Sequence, residues 1–85
     1  MGYCVYKHTA PNGKSYIGIT SRKPEKRWRN GSVYAHNPFF ANAIQNHGWN
    51  NIKHEILYSN LSADEAERKE KRIAREIEAV IYAKL

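Results

Sequence analysis

The chain has one cysteine, Cys4, which excludes an internal disulfide, and nothing supplies the clustered Cys and His ligands of a structural zinc site. This is the cysteine usage of a reducing, intracellular compartment, and a cytoplasmic location is expected. No apolar run approaches the roughly 20 residues of a membrane span, and the N-terminus lacks a signal-peptide core, so no membrane partner is expected. Met1-Gly2 does not open a myristoylation signal, because Tyr6 stands where Ser or Thr is needed. Acidic residues are scarce in the first part of the chain: up to residue 61 only Glu25 and Glu55 oppose Lys7, Lys14, Arg22, Lys23, Lys26, Arg27, Arg29 and Lys53, while residues 62–85 balance. The whole net charge of +6 therefore lies on that first part. Such a surface attracts phosphate chains by counterion release and steering, although it also suits an acidic protein or an anionic surface. With 85 residues the chain makes one small domain, 1–85, too short for a large enclosed pocket, and a shallow site is expected.

Two short aromatic strands open the chain, Tyr3-Cys4-Val5-Tyr6 and Ser15-Tyr16-Ile17-Gly18-Ile19, joined through Ala10-Pro11-Asn12-Gly13. Pro pre-sets the first position of a type I turn, Asn tolerates the second and Gly takes the left-handed third, which is a three-residue hairpin loop. Ala10 and Lys14 then face each other, Tyr6 lies opposite Gly18, and Val5 opposite Ile19. Alternation sends Val5, Ile17 and Ile19 to one face and Tyr6, Tyr16 and Gly18 to the other. One face thus carries two phenols beside a bare backbone.

Pro24 to Arg29 reads as a short basic helix ended by Asn30-Gly31-Ser32, and the segment to His36 reads as loop. Asn37-Pro38 opens a second helix in which Phe40, Ala43, Ile44 and His47 recur until Gly48. Ile52 to Tyr58 reads as a third strand with Ile52, His54, Ile56 and Tyr58 on one face. Ser62 and Glu65 form a capping box for the last helix, whose inward stripe is Ala66, Glu70, Ile73, Ile77 and Val80. The expected fold is α+β: a small three-stranded antiparallel sheet flanked by about three helices. Glu70 interrupts an otherwise apolar stripe, and an inward carboxylate is costly unless it is paired, reaches water or binds metal. An ion pair with Arg27 or Lys69 would satisfy it; so would a divalent ion such as Mg²⁺, which is commonly held by one or two carboxylates, water and phosphate oxygens.

Val5-Tyr6, Tyr16-Ile17-Gly18 ten residues after Tyr6, and Arg27-Trp28 nine residues beyond Gly18, together with the run Ala43-Ile44-Gln45-Asn46-His47-Gly48-Trp49 and the late helical glutamate, resemble the GIY-YIG nuclease superfamily over roughly residues 3 to 77. The second half-motif is intact as Tyr-Ile-Gly; the first reads Cys4-Val5-Tyr6. The resemblance implies a metal-dependent DNA endonuclease that hydrolyses phosphodiester bonds with one metal ion, Mg²⁺ or Mn²⁺ in its place, held on Glu70. It implies that Tyr16 activates the attacking water, directly or through a neighbour, that Tyr6 orients that water or a phosphate oxygen, and that Arg27 clamps the scissile phosphate. A phenol with pKa about 10 needs nearby positive charge to serve as a base. A further family position falls on Tyr34 or His36. His8, on the Tyr6 face, could reach phosphate, as could Lys14, Arg22, Lys23 and Arg29, whereas His47 and His54 read as structural. Where some relatives carry a Lys after the second tripeptide, this chain has Ile19-Thr20, and any such role passes to Arg22 or Lys23.

A non-catalytic nucleic-acid-binding module of the same fold is the alternative, and an interaction domain for an acidic protein a third reading. A pure binder has a use for Arg27 but none for an inward carboxylate. No element is an obvious reader of bases in the major groove, so weak sequence preference is expected, with specificity left to DNA structure, dimerisation or a separate partner protein.

Overall fold

The computed structural model of the protein describes residues 2–76. Three strands, β1 (Tyr3–Thr9), β2 (Ser15–Thr20) and β3 (Lys53–Leu61), form one antiparallel sheet in the order β2-β1-β3. The helices are α1 (Pro24–Trp28), α2 (Pro38–His47) and α3 (Ala63–Glu76). The architecture is the α+β one expected from the sequence.

The first hairpin has the expected register, with Val5 opposite Ile19 and Tyr6 opposite Gly18. Its loop is closed by Ala10 N–H donating to the Lys14 carbonyl and Gly13 N–H to the Ala10 carbonyl, both at 2.9 Å, with Gly13 in the left-handed region at φ 88°. Both faces of the sheet are covered. Val5, Ile17 and Ala66 form a mainly aliphatic cluster with Tyr3, Ile19, Leu57, Leu61 and Ile73, beneath α3. Tyr6, Trp28, Tyr34, Phe40, Ala43 and Ile52 form the second cluster, with Tyr16, Val33, Ile44 and Trp49 packed on it.

Two expectations about local structure are corrected. The stretch up to His36, which reads as loop in the sequence, is a 3₁₀ segment, Arg29–His36, entered through left-handed Arg29 and Asn30 and kinked at Gly31. Its Tyr34 is pulled into the core, so tertiary packing orders a segment whose Asn-Gly-Ser start signals only a stop. Ile52 precedes β3, and His54, Ile56 and Tyr58 on it do not share one face. Tyr6 pairs with Ile56 but Val5 pairs with Tyr58, so Leu57 is an extra residue that shifts the register, and a second shift follows before Leu61, where Asn60 has φ 58°. Beyond the first shift Tyr58 lies under the Lys69 ammonium of α3.

The helix ends are as the sequence implies. Asn37 Oδ1 accepts from Phe40 N–H at 3.2 Å, and Ser62 and Glu65 cap each other reciprocally at 3.1 and 3.2 Å. On α3 the inward stripe runs through buried Ala66 and half-buried Glu70 and Ile73; Ile77 and Val80 lie outside the described residues. Among the described residues no helix is long and apolar enough to cross a membrane.

Candidate functional site

β1 and β2 bring Tyr6 and Tyr16 to the same face, with ring centroids 6.5 Å apart and nearly parallel. Gly18, opposite Tyr6, is the floor on which the Tyr6 ring lies: a Cβ there would fall 2.5 Å from both Cζ and Oη of Tyr6. The glycine is required by close approach rather than by a positive φ. Tyr6 is only 1 % exposed, while Tyr16 is half-buried and is the phenol nearer solvent.

Arg27, in the last turn of α1, and Glu70, in the middle of α3, act on both phenols with opposite sign. Burial is the largest influence and pushes both phenols up; the Arg27 charge opposes it and the Glu70 charge adds to it. The expectation that positive charge favours phenolate is thus met in kind by Arg27, but burial outweighs it. The Arg27 guanidinium also lies 5.8 Å from the centre of the Tyr34 ring.

Of Tyr34 and His36, the structure brings only Tyr34 to the phenols. Its ring is 4.9 Å from Tyr16 and its hydroxyl 3.5 Å from that of Tyr6, whereas His36 is exposed at the end of the 3₁₀ segment. With about three residues per turn, positions two apart point to different sides. Neither Tyr34 nor His8 offers a surface to DNA. Tyr34 is 3 % exposed and His8 fully buried, held at Nε2 by Tyr34 Oη and at Nδ1 by His54 Nδ1, both at 2.8 Å. Desolvation first, then the neighbouring His54 and Arg27, lowers the His8 pKa to about 3, so the ring is neutral. His54, read from the sequence as structural, therefore belongs to a network reaching Tyr6. Its membership follows from β1–β3 pairing, which sets it directly opposite His8.

Arg22, Lys23 and Arg29 line one shallow groove with Ser21 and Lys26, and Arg27 continues it toward Tyr3, Thr20 and Val33. Among the described residues no acidic side chain lines it. Sequence reasoning left Lys26 out of this group, though its place between Pro24 and Arg29 on one short helix was the signal. Lys14 is elsewhere, exposed at the hairpin tip, four residues along β2 from Gly18 and so about 13 Å away at strand spacing. Cys4 is buried, and burial raises its thiol pKa, which suits packing rather than nucleophilic chemistry.

Among the described residues no group of three His, Cys, Asp or Glu could hold a metal ion. Among the described residues Glu70 is the one carboxylate that acts electrostatically on both phenols, and a lone carboxylate fits a hard cation held also by water and phosphate oxygens rather than an all-protein zinc or calcium cage. No protein family, no curated protein and no solved structure matches the chain.

Proposed function

We propose that this protein is a metal-dependent DNA endonuclease of the GIY-YIG type. The observation that carries the reading is that Arg27 and Glu70, on two different helices, both act electrostatically on the paired phenols Tyr6 and Tyr16, beside a groove whose charged lining among the described residues is all cationic. The groove supports a path for the phosphate backbone, with Arg22, Lys23, Lys26 and Arg29 neutralising it. Arg27 holds the oxygens of the scissile phosphate, where negative charge grows in the transition state. Tyr16, the more exposed phenol, contacts the attacking water, and Tyr6, buried beside it, acts through Tyr16 by holding its ring in place. The water oxygen bonds to phosphorus as the bond to the leaving 3′ oxygen breaks; the proton lost by the water passes by way of the Tyr16 hydroxyl to bulk solvent, and the leaving oxygen takes a proton from solvent. Glu70 is the residue that would hold Mg²⁺ or Mn²⁺, whose chemistry there is to stabilise charge on the leaving oxygen.

One observation favours the second reading, a non-catalytic nucleic-acid-binding module: burial raises both phenols, so neither is a ready base at neutral pH. The test is conversion of supercoiled plasmid to nicked and linear forms with Mg²⁺ or Mn²⁺ by the intact chain and by Glu70→Ala, purified identically. Cleavage by the parent that falls at least about 100-fold in the variant, with DNA binding retained, is the expected result. Binding without cleavage in either establishes the second reading.

A further inference from the structure

Among the described residues three other than glycine have positive φ: Arg29 at 47°, Asn30 at 55° and Asn60 at 58°. Two are asparagines, whose short polar side chain tolerates the left-handed region. An arginine there crowds its Cβ against the following carbonyl oxygen with no such relief. Arg29 closes α1, its backbone N–H donating to the Glu25 carbonyl, at a position that helices usually fill with Gly or Asn. The turn itself serves the fold. Through Asn30 it delivers Gly31 to the aromatic layer, so close that a Cβ on Gly31 would fall 2.8 Å from Trp49 Cε3. That contact accounts for the backbone of residue 29 but not for its side chain, and glycine would make the same turn at less cost.

The Arg29 side chain gives nothing back to the fold. The residue is exposed, and among the described residues its guanidinium has no hydrogen bond, ion pair or ring contact. What it does is line a shallow cavity with Ser21, Arg22, Lys23 and Lys26. Arg27 is outside that cavity and lines the adjoining one, toward Tyr3 and Val33, which Arg29 also borders. Arg29 therefore stands between the arginine that acts on the phenols and a cluster of three further cations. Four cations and a hydroxyl around one open cavity suit a phosphate group, and the planar fork of a guanidinium is the donor that matches two of its oxygens.

We propose that this cavity is a second phosphate subsite, taking the backbone phosphate next to the one that is cut, and that Arg29 is its principal donor. The inference rests on the nuclease reading for the first phosphate: Arg27 holds the scissile group and Arg29 its neighbour. A left-handed arginine at a helix end is then the outcome of two demands on one position, a turn that favours glycine and a ligand that needs a guanidinium. Arg29 sets where the strand lies and takes no part in the bond that breaks.

Arg29→Gly in the full chain separates the two demands, because it relaxes the backbone and removes the guanidinium. Urea unfolding should give a folding equilibrium constant about three- to tenfold above the parent. Binding to a short DNA duplex in EDTA, followed by fluorescence anisotropy, should weaken about tenfold, with the slope of log affinity against log salt reduced by about one. Arg29→Lys keeps a charge without the fork, so it should match the parent in stability and weaken binding less than Arg29→Gly. Asn30→Gly relaxes the next residue and should bind as the parent does. Lys53→Ala removes an exposed cation of β3 and should change affinity less than about twofold. A loss in Arg29→Gly no larger than in Lys53→Ala, or a stability no higher than the parent's, overturns the proposal. In cleavage of an oligonucleotide duplex Arg29→Gly should raise KM and keep kcat within about threefold. A fall in kcat as large as that of Arg27→Ala would put Arg29 on the scissile phosphate and likewise overturn it. Weakened binding of the expected size in a chain whose parent cuts no DNA sinks the nuclease reading and leaves the subsite standing as one for a backbone phosphate.

Discussion

The two faces of the sheet are made of different materials. Beneath α3, Val5, Ile17, Ala66 and their neighbours form a layer that is aliphatic apart from Tyr3 and asks mainly for volume. On the opposite face Tyr6, His8, Tyr16, Trp28, Tyr34, Phe40, Trp49 and His54 pack ring against ring, and their polar atoms must meet one another away from water. That second face is not fully solved: Trp28 Nε1 is buried without an acceptor among the described residues. The comparison teaches where specificity resides. An aliphatic layer tolerates exchange of shape, because nearby hydrocarbon refills space, while a layer of phenols and imidazoles fixes the direction of each hydrogen as well as the position of each ring. Central strand β1 serves both layers by alternation.

The largest expected contrast comes from deleting bulk on each side. Phe40 is fully buried and touches His8, Tyr16 and Tyr34, so Phe40→Ala should cost about 3–5 kcal/mol of stability, against about 0.5–1.5 for Ile17→Val on the aliphatic face. Urea unfolding of the two variants measures both. A similar loss in the two would erase the distinction between the faces. Gly18→Ala comes next: its Cβ would collide with Tyr6 Oη, and the ring must shift, at about 1–3 kcal/mol and with loss of cleavage beyond what the stability change explains.

Most of this contrast was legible in the chain. The Pro11-Asn12-Gly13 loop set the register, the register set the faces, and the capping pairs set the ends of α2 and α3. What escaped was non-local. The register shift at Leu57 has no signature in a strand whose apolar residues alternate, because it arises from fitting β3 to both layers at once. Tyr34 is buried by its contacts with Phe40 and Tyr16, elements that local signals around Asn30-Gly31-Ser32 cannot report. His8 and His54 each look unremarkable alone, and only strand pairing makes them a hydrogen-bonded pair.

Acid should weaken the aromatic face selectively. The folded-state pKa of His8 is lowered to about 3, below the ordinary histidine value, so between these values the unfolded chain binds a proton that the folded chain does not. Stability is full above the ordinary histidine range and falls as pH drops through it, by about 2 kcal/mol at pH 5. Urea midpoints at about pH 7.5 and pH 5 test this, with His8→Gln as the comparison. An unchanged pH slope in that variant assigns the acid sensitivity elsewhere.

The smallest effects should come from cations at the surface, and they separate charge that packs from charge that awaits a partner. Lys69 lies over the Tyr58 ring at 4.4 Å on the α3 side, and Tyr58 is 43 % exposed, so Lys69→Ala should cost at most about 0.5–1 kcal/mol. Lys26 lines the basic groove and is itself exposed, so Lys26→Ala should leave folding stability within about 0.5 kcal/mol of the parent. It should instead lower the slope of log affinity for DNA against log salt by about one, while Lys69→Ala leaves that slope unchanged. The reverse outcome, with Lys69 carrying the salt dependence, would move the DNA path from the aromatic face to the α3 side and detach the groove from Tyr6 and Tyr16.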